Sequence, residues 1–198
     1  MADDVQTTHQ SMVNYELHRD GHEAERAITR LLERADEEFV PPLSARTGTD
    51  QRDGLEDGTG EDLTPYLDSA LDHTYVLALV QGEVVGFLSV HDGYEIPELE
   101  GYLPSNYVST VVVHPDHRRN GYARELWKRA LSGLPEAYRQ PYVTTRTWST
   151  NDSHIALLEE LGFETVTRVP DDRGPGVDTV YFGRETPPPS TELALTRT

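Results

Sequence analysis

The chain contains no cysteine, and only Lys128 among its 17 basic residues is a lysine. The absence of thiols excludes disulfides, thiolate metal sites and a cysteine nucleophile. No stretch of the sequence approaches the ~20 apolar residues that cross a bilayer. The start, MADDVQTTHQ, lacks the basic and then apolar segments of a secretory signal. We therefore expect a cytoplasmic protein that has no membrane partner.

Acidic residues outnumber basic residues by 35 to 17, which gives a formal net charge of −18. A surface this acidic repels nucleic acids and anionic membranes, so neither is expected to be a partner. The combination of scarce lysine with abundant Asp and Glu resembles proteins of salt-loving organisms, in which concentrated cations screen the self-repulsion. An ordinary acidic protein is the alternative interpretation.

Hydrophobic periodicity predicts one domain over residues 13–185, between a flexible segment at 1–12 and a disordered tail at 186–198. Strand patterns occur at 13–18, 74–80, 83–90, 108–113, 142–148, 163–169 and 179–183. Helical faces occur at 24–39, 63–71, 123–134 and 155–161. Gln81-Gly82 has the composition of a tight hairpin turn. The segment 44–62 is predicted to be an exposed loop.

The most informative stretch joins the strand Val108–Val113 to the helix that starts near Ala123. The first turn of a helix has N–H groups without intrahelical partners and the positive end of the dipole, so it can hold a phosphate or pyrophosphate. Gly121 lets an anion approach the backbone closely. Charge-assisted donors are added by Arg118, Arg119 and Arg124.

Arg118, Gly121 and Ala123 fit the pattern Arg or Gln, two residues, Gly, one residue, Gly or Ala, after a strand that ends in Val-x-Pro. The chain here resembles the GNAT superfamily of acetyl-CoA-dependent N-acetyltransferases. A second family feature also matches, because Asn151 lies eleven residues before Gly162-Phe163. The resemblance implies an α/β (α+β) fold over residues 13–185, with a mixed six- to seven-stranded sheet flanked by about four helices.

The resemblance also implies a reaction, the transfer of an acetyl group from acetyl-CoA, as cosubstrate, to a primary amine by direct attack in a ternary complex. The central strand is then expected to part from its neighbour around 110–113, with the N–H of Val112 or Val113 facing the thioester oxygen. The residues implied to bind acetyl-CoA are Val111, Val112, Val113, Arg118, Arg119, Asn120, Gly121, Tyr122, Ala123, Arg124 and Asn151.

An alkylammonium acceptor has a pKa of roughly 10 and must lose a proton before it attacks. The candidate bases are His91, Asp92 and Glu95, which the sequence equally allows to be ordinary surface groups. Many relatives carry a tyrosine that protonates the departing thiolate, where this chain has Leu158. The thiolate then leaves unassisted, or it takes a proton from Ser153, His154 or Tyr122. The acidic insertion 91–106 would suit a cationic amine.

Two other functions are compatible with the same residues. One is a noncatalytic domain of this fold that binds or senses CoA, which Leu158 favours, and the other is an unrelated phosphate-binding protein.

His114 and His117 are three residues apart but have no evident third ligand, so we expect no metal site. The sequence leaves open whether the acceptor is a small amine, an antibiotic, a peptide N-terminus or a protein lysine, and whether the protein is a monomer or a homodimer.

If the acidic surface is an adaptation to salt, molar KCl should raise the melting temperature, because the counterions screen repulsion among the carboxylates. Thermal melts recorded with and without KCl measure this effect. A melting temperature that falls with KCl, or does not respond to it, would contradict the interpretation.

Overall fold

The computed structural model describes residues 13–18, 22–49 and 62–197. The predicted flexible segment 1–12 and residues 50–61 of the predicted loop 44–62 lie outside these residues. In the described part of that loop Ser44, Arg46 and Thr49 are buried, which corrects the prediction that it is exposed. The strands are β1 (Val13–His18), β2 (Thr74–Val80), β3 (Glu83–Asp92), β4 (Ser105–Val113), β5 (Tyr142–Trp148), β6 (Glu164–Val169), β7 (Thr179–Glu185) and β8 (Thr196–Arg197). The helices are α1 (His22–Ala35), α2 (Thr64–Leu71), α3 (Tyr122–Ser132) and α4 (Asp152–Glu160).

All the strands belong to one mixed sheet, with the order β6-β7-β5-β4-β3-β2-β1-β8. The pairs β4–β5 and β1–β8 are parallel, and the other neighbours are antiparallel. The predicted mixed sheet with about four helices is therefore confirmed, and β8 is a short addition to it. At the predicted hairpin, Gln81 and Gly82 both have positive φ, 55° and 86°, as a two-residue turn of this kind requires.

Helices cover both faces of the sheet, and each face has its own apolar core. On one face, Leu126 and Trp127 of α3 and Leu158 of α4 are fully buried in one core with side chains of β2, β3, β4, β5 and β7, and α3 lies mainly over β2 and β3. On the other face, α1 and α2 bury Ile28, Leu32 and Tyr66 against β2 and β3. We call these the α3/α4 face and the α1/α2 face. Within the part of the chain that the structure describes, no helix is both long and apolar enough to cross a membrane.

A bulge in β4 decides which of its side chains reach each face. Ser89 pairs with Thr110 and Val90 pairs with Val108, so Ser109 is an extra residue on β4. Both Ser109 and Thr110 consequently point to the α1/α2 face, where Thr110 shares a 2.5 Å hydrogen bond with Tyr66 of α2. Beyond the bulge, normal alternation resumes along β4.

The insertion between β3 and β4 packs against the α1/α2 face. Pro97–Tyr102 forms short 3-10 turns, and the neighbouring side chains enter a third apolar cluster with β4 and β7, made of Tyr94, Ile96, Leu99, Tyr107 and Tyr181. This segment therefore contributes tyrosines to the interior, in addition to its acidic surface residues.

The structure corrects the expectation of a disordered C-terminal tail. The Ser190 N–H donates to the Ser132 carbonyl oxygen at 2.8 Å, and the Leu195 N–H donates to that of Gly133 at 3.1 Å. Leu195 is only 8% exposed. A Cβ on residue 133 would lie 2.0 Å from the Leu193 carbonyl oxygen, so only glycine admits the segment this closely. Composition did not reveal this packing, because it depends on a distant glycine and one leucine.

The packing of the C-terminal segment can be tested by truncating Leu195. We expect Leu195→Ala to lower the free energy of unfolding by about 2 kcal/mol, the lower end of the range for a buried leucine. Ala194→Ser, at the exposed neighbouring position, is the matched control and should have little effect. Denaturant unfolding of the two variants measures the difference, and equal stabilities would show that the segment does not pack.

Candidate active site

The site begins where β4 and β5 separate. Their parallel pairing covers only four residues of each strand, Ser105–Val108 and Tyr142–Thr145. At the fork, the Thr145 hydroxyl donates to the Val108 carbonyl oxygen at 2.8 Å. Beyond it the strands diverge around a cleft of about 500 Å³, which the ends of α1, α3 and α4 also line. The predicted parting of the central strand therefore occurs, and it begins just after Val108.

One backbone edge of β4 faces this cleft. The His114 N–H donates to Val85 of β3 at 2.8 Å, and hydrogen-bonding direction alternates along a strand, so Val112 bonds to β3 while Val111 and Val113 face the cleft. Consistently, Arg118 Nε donates to the Val113 carbonyl oxygen at 3.0 Å. Of the two predicted donors to a thioester oxygen, Val113 has the right direction. Val112 does not, because its N–H belongs to the ladder with β3.

The loop before α3 presents open amides to the cleft. Arg119 and Gly121 have positive φ, 62° and 81°, and no side chain caps the N-terminus of α3. Asn120 Nδ2 donates to the carbonyl oxygens of His117 and Arg118 at 3.0 and 3.1 Å, which holds the loop in shape. The cleft is lined by Arg118, Arg119, Gly121, Tyr122, Ala123 and Arg124. Asn120 does not line it, so its part in the site is to support the loop.

Two of the arginines at this end are paired with carboxylates from other elements. Arg118 Nη2 lies 2.8 and 2.7 Å from the two carboxylate oxygens of Glu38, just after α1. Arg124 pairs with Glu160 of α4. All four side chains are between 41% and 59% exposed, so each pair is partly solvated and weak. An incoming anion can replace either carboxylate at modest cost.

The α4 side of the cleft holds the other predicted residues. Asn151 lines the cleft and donates from Nδ2 to the Thr147 hydroxyl at 3.1 Å. Ser153 and His154 also line it. Burial lowers the pKa of His154 to about 4, so its imidazole is neutral near pH 7. Leu158 is fully buried in the α3/α4 core and offers no proton.

The three residues predicted as bases do not line the cleft. Asp92 and Glu95 are exposed, and Asp92 accepts a hydrogen bond from Gln140 at 2.9 Å. His91 stacks on His73, with ring centroids 4.7 Å apart. The acidic insertion therefore does not bring these carboxylates to the reacting position, because its chain turns to pack on the sheet.

His73, a buried histidine that no sequence pattern indicates, lies closer to the cleft. His73 Nδ1 is 2.7 Å from the Ser89 hydroxyl and 3.2 Å from that of Ser109, which lines the cleft. His73 Nε2 is 3.3 Å from the Thr49 hydroxyl. Burial and the neighbouring His91 lower the pKa of His73 to about 4. A neutral ring is therefore joined to the cleft through a serine that the bulge turns to this face.

Three arginines from distant parts of the chain meet on the α1/α2 face, and we call Arg46, Arg146 and Arg173 the arginine cluster. Arg46 and Arg173 are 8% and 7% exposed, and Arg146 lines the cleft. Burial, together with Arg46 and Arg146, lowers the pKa of Arg173 to about 9. No local pattern predicts the cluster, because its members are far apart in sequence.

Comparison with known proteins supports the resemblance. The model of the acetyltransferase (GNAT) family matches residues 26–163. Sequence identity to these solved structures is low. A candidate acetyltransferase, yncA, from Salmonella typhimurium, solved with acetyl-CoA, is 20% identical, with a TM-score of 0.59 and coverages of 87% of this chain and 94% of that one. An N-acetyltransferase from Staphylococcus aureus Mu50 is 13% identical, with a TM-score of 0.59 and coverages of 88% and 99%. A ribosomal-protein-alanine N-acetyltransferase from Brucella melitensis is 19% identical, with a TM-score of 0.55 and coverages of 85% and 98%. At such identities the structural matches show a shared fold.

The α3 N-terminus can be tested with a pair of glycine variants. Gly121 and Gly82 have similar φ, 81° and 86°, and an added Cβ meets nothing within 4 Å at either. Glutamate should therefore cost similar conformational energy at both positions. We expect Gly121→Glu to raise the Kd for CoA at least about tenfold, or 1.4 kcal/mol, because its carboxylate occupies the anion position.

Gly82→Glu, in the distant hairpin, is the control and should bind CoA as the unmodified protein does. Calorimetric titration with CoA measures both affinities. Equal affinity of the two variants would show that the helix end does not hold the diphosphate.

Proposed function

Because the chain belongs to the acetyltransferase (GNAT) family, we propose that it moves an acetyl group from acetyl-CoA to a primary amine by direct attack in a ternary complex. The observation that carries this proposal is that one cleft joins the open edge of β4 to the uncapped end of α3. A thioester with a long amide-bearing arm and a diphosphate matches both features.

The residues of the cleft fit acetyl-CoA. The backbone of Val111 and Val113 can pair with the amides of the arm, as a strand would. The α3 amides and Arg119 can bind the diphosphate, with Arg118 and Arg124 released from their carboxylates. Asn151, held by Thr147, is positioned to bind the arm from the other side. The bound molecule supplies the activated acetyl group.

The remaining groups act on the carbonyl oxygen and on the proton of the amine. A cleft-facing N–H of β4, that of Val111 or Val113, is proposed to donate to the carbonyl oxygen as negative charge develops on it. The amine would approach from the α1/α2 face, past Ser109. From there a proton can pass through the Ser109 hydroxyl to Nδ1 of His73. In this proposal His91 acts only through His73, and Asp92 and Glu95 have no direct part.

A noncatalytic CoA-binding domain is the second candidate, and the position of Leu158 favours it. Leu158 is fully buried in the core, and neutral His154 is a poor acid. Thiolates are modest bases, however, and can leave without help. Two of the similar solved structures are of N-acetyltransferases, which supports the catalytic candidate.

We further propose that the protein acts in the cytoplasm and in concentrated salt, as its acidic surface suggests.

Release of free thiol from acetyl-CoA, measured with a panel of primary amines in KCl, tests the proposal. We expect acetyl transfer to at least one amine, and Ser109→Ala should lower kcat more than it changes the KM for acetyl-CoA, because it interrupts the proton path. Ser132→Ala, a half-buried serine at the end of α3 outside the cleft, is the control. Tight CoA binding without transfer to any amine would instead support the second candidate.

A further inference from the structure

We infer that the acceptor is a primary amine that also carries a carboxylate, as an amino acid does, and that Arg146 binds this carboxylate. The inference rests on the proposed acetyl transfer and specifies its substrate class. The inference is based on the position of the arginine cluster on the α1/α2 face, the side from which the amine would approach. Of its members, Arg146 lines the cleft. A cationic acceptor, which the acidic insertion suggested, would meet like charge here.

Arg146 has hydrogen-bonding capacity that the protein does not use. Its Nη2 donates to the Thr49 carbonyl oxygen at a long 3.4 Å. Its side chain also hydrogen-bonds Tyr94, and its guanidinium lies 5.8 Å from the centre of the Tyr107 ring. Its Nη1 is buried and has no hydrogen-bond partner. A guanidinium donor without a partner in the interior is costly, and a carboxylate is the group that it fits best.

The other two arginines bring positive charge that Asp36, near Arg46, and Asp172, near Arg173, offset only in part. Arg46 donates to the Pro41 carbonyl oxygen at 2.8 Å, and Arg173 donates to that of Val40 at 2.7 Å and to the Thr179 hydroxyl at 2.9 Å. All of these acceptors are uncharged. Among the residues that the structure places, no carboxylate forms an ion pair with a guanidinium of the cluster.

Two aromatic rings hold the cluster beside the cleft. Phe39 and Trp148 line the cleft and contact each other, with ring centroids 5.8 Å apart. The Arg46 guanidinium lies 5.5 Å from the centre of Phe39, and that of Arg173 lies 6.0 Å from the centre of Trp148. Such cation–π contacts fix the guanidiniums in place. The cleft therefore combines an apolar wall with a positive potential, in a chain whose net charge is −18.

The position of Arg146 on β5 places the proposed carboxylate site beside the proposed approach of the amine. Arg146 follows Thr145, the residue at the fork, and faces the same side of the sheet as Ser109. A carboxylate on Arg146 would thus lie on the same side of the fork as an amine beside Ser109. This placement favours an amine that carries its own carboxylate, such as an amino acid, over a polyamine.

The experiment compares matched acceptors by thiol release from acetyl-CoA. The acceptors are L-methionine, L-leucine and L-phenylalanine, each with its carboxamide and its decarboxylated amine, and 4-aminobutyrate with butylamine. We expect kcat/KM for at least one carboxylate-bearing amine to exceed that of its partners without a carboxylate about tenfold or more, as a charge-assisted pair predicts. In Arg146→Met this ratio should fall toward one, and Arg146→Lys should restore part of it.

Arg30→Met, at an exposed position of α1, is the control and should keep the ratio of the unmodified protein. Equal or faster transfer to the amines without a carboxylate, or an unchanged ratio in Arg146→Met, would overturn the inference. So would a loss of all acceptors by the same factor, because Arg146 would then be structural.

A second readout does not depend on turnover. The preferred amino acid should raise the melting temperature of the unmodified protein in the presence of CoA, but not that of Arg146→Met. If no amine is acetylated, the proposed function fails, and the same melts with the four carboxylate-bearing amines still decide the inference. Shifts that are absent, or that persist in Arg146→Met, would refute a carboxylate site at this residue.

Discussion

The structure of the site depends on the short parallel contact between β4 and β5. Four residues of each strand pair, and the ladder stops at Val108 and Thr145. Backbone groups left without partners in a protein interior are costly, so the exposed edge of β4 is a feature that function must explain. The loop before α3 and the N-terminus of α4 line the same gap. The candidate binding groups therefore all lie around the point where the β4–β5 ladder ends.

The surface is mainly negative, whereas the cleft is lined by positive side chains. The chain has a net charge of −18, whereas arginines of the α3 loop and Arg146 line the cleft, and Arg46 and Arg173 lie against its aromatic side chains. Near α3, those arginines pair with surface carboxylates that a bound anion can replace. On the α1/α2 face, the arginine cluster has neutral acceptors and aromatic rings instead. The acidic exterior therefore conceals a cleft that favours anions.

Local features of the site could be predicted from sequence, and features that depend on distant contacts could not. The turn at Arg118–Ala123, the hairpin at Gln81-Gly82 and the helix start at Asn151 depend on neighbouring residues. By contrast, the bulge at Ser109 reverses the alternation that would assign its side chain to a face. Arg46, Arg146 and Arg173 meet only through the tertiary fold. Asp92 and Glu95 were chosen for their charge, but the path of the insertion keeps them out of the cleft.

The gap in the sheet also has a mechanical consequence. The sheet has two parts, β1 to β4 with β8, and β5 to β7. Four residue pairs of the parallel β4–β5 ladder join them directly. A thioester arm bound along β4 would extend that ladder and restrict the movement of the two parts of the sheet relative to each other. Binding along this edge would then also make the sheet more rigid around the cleft.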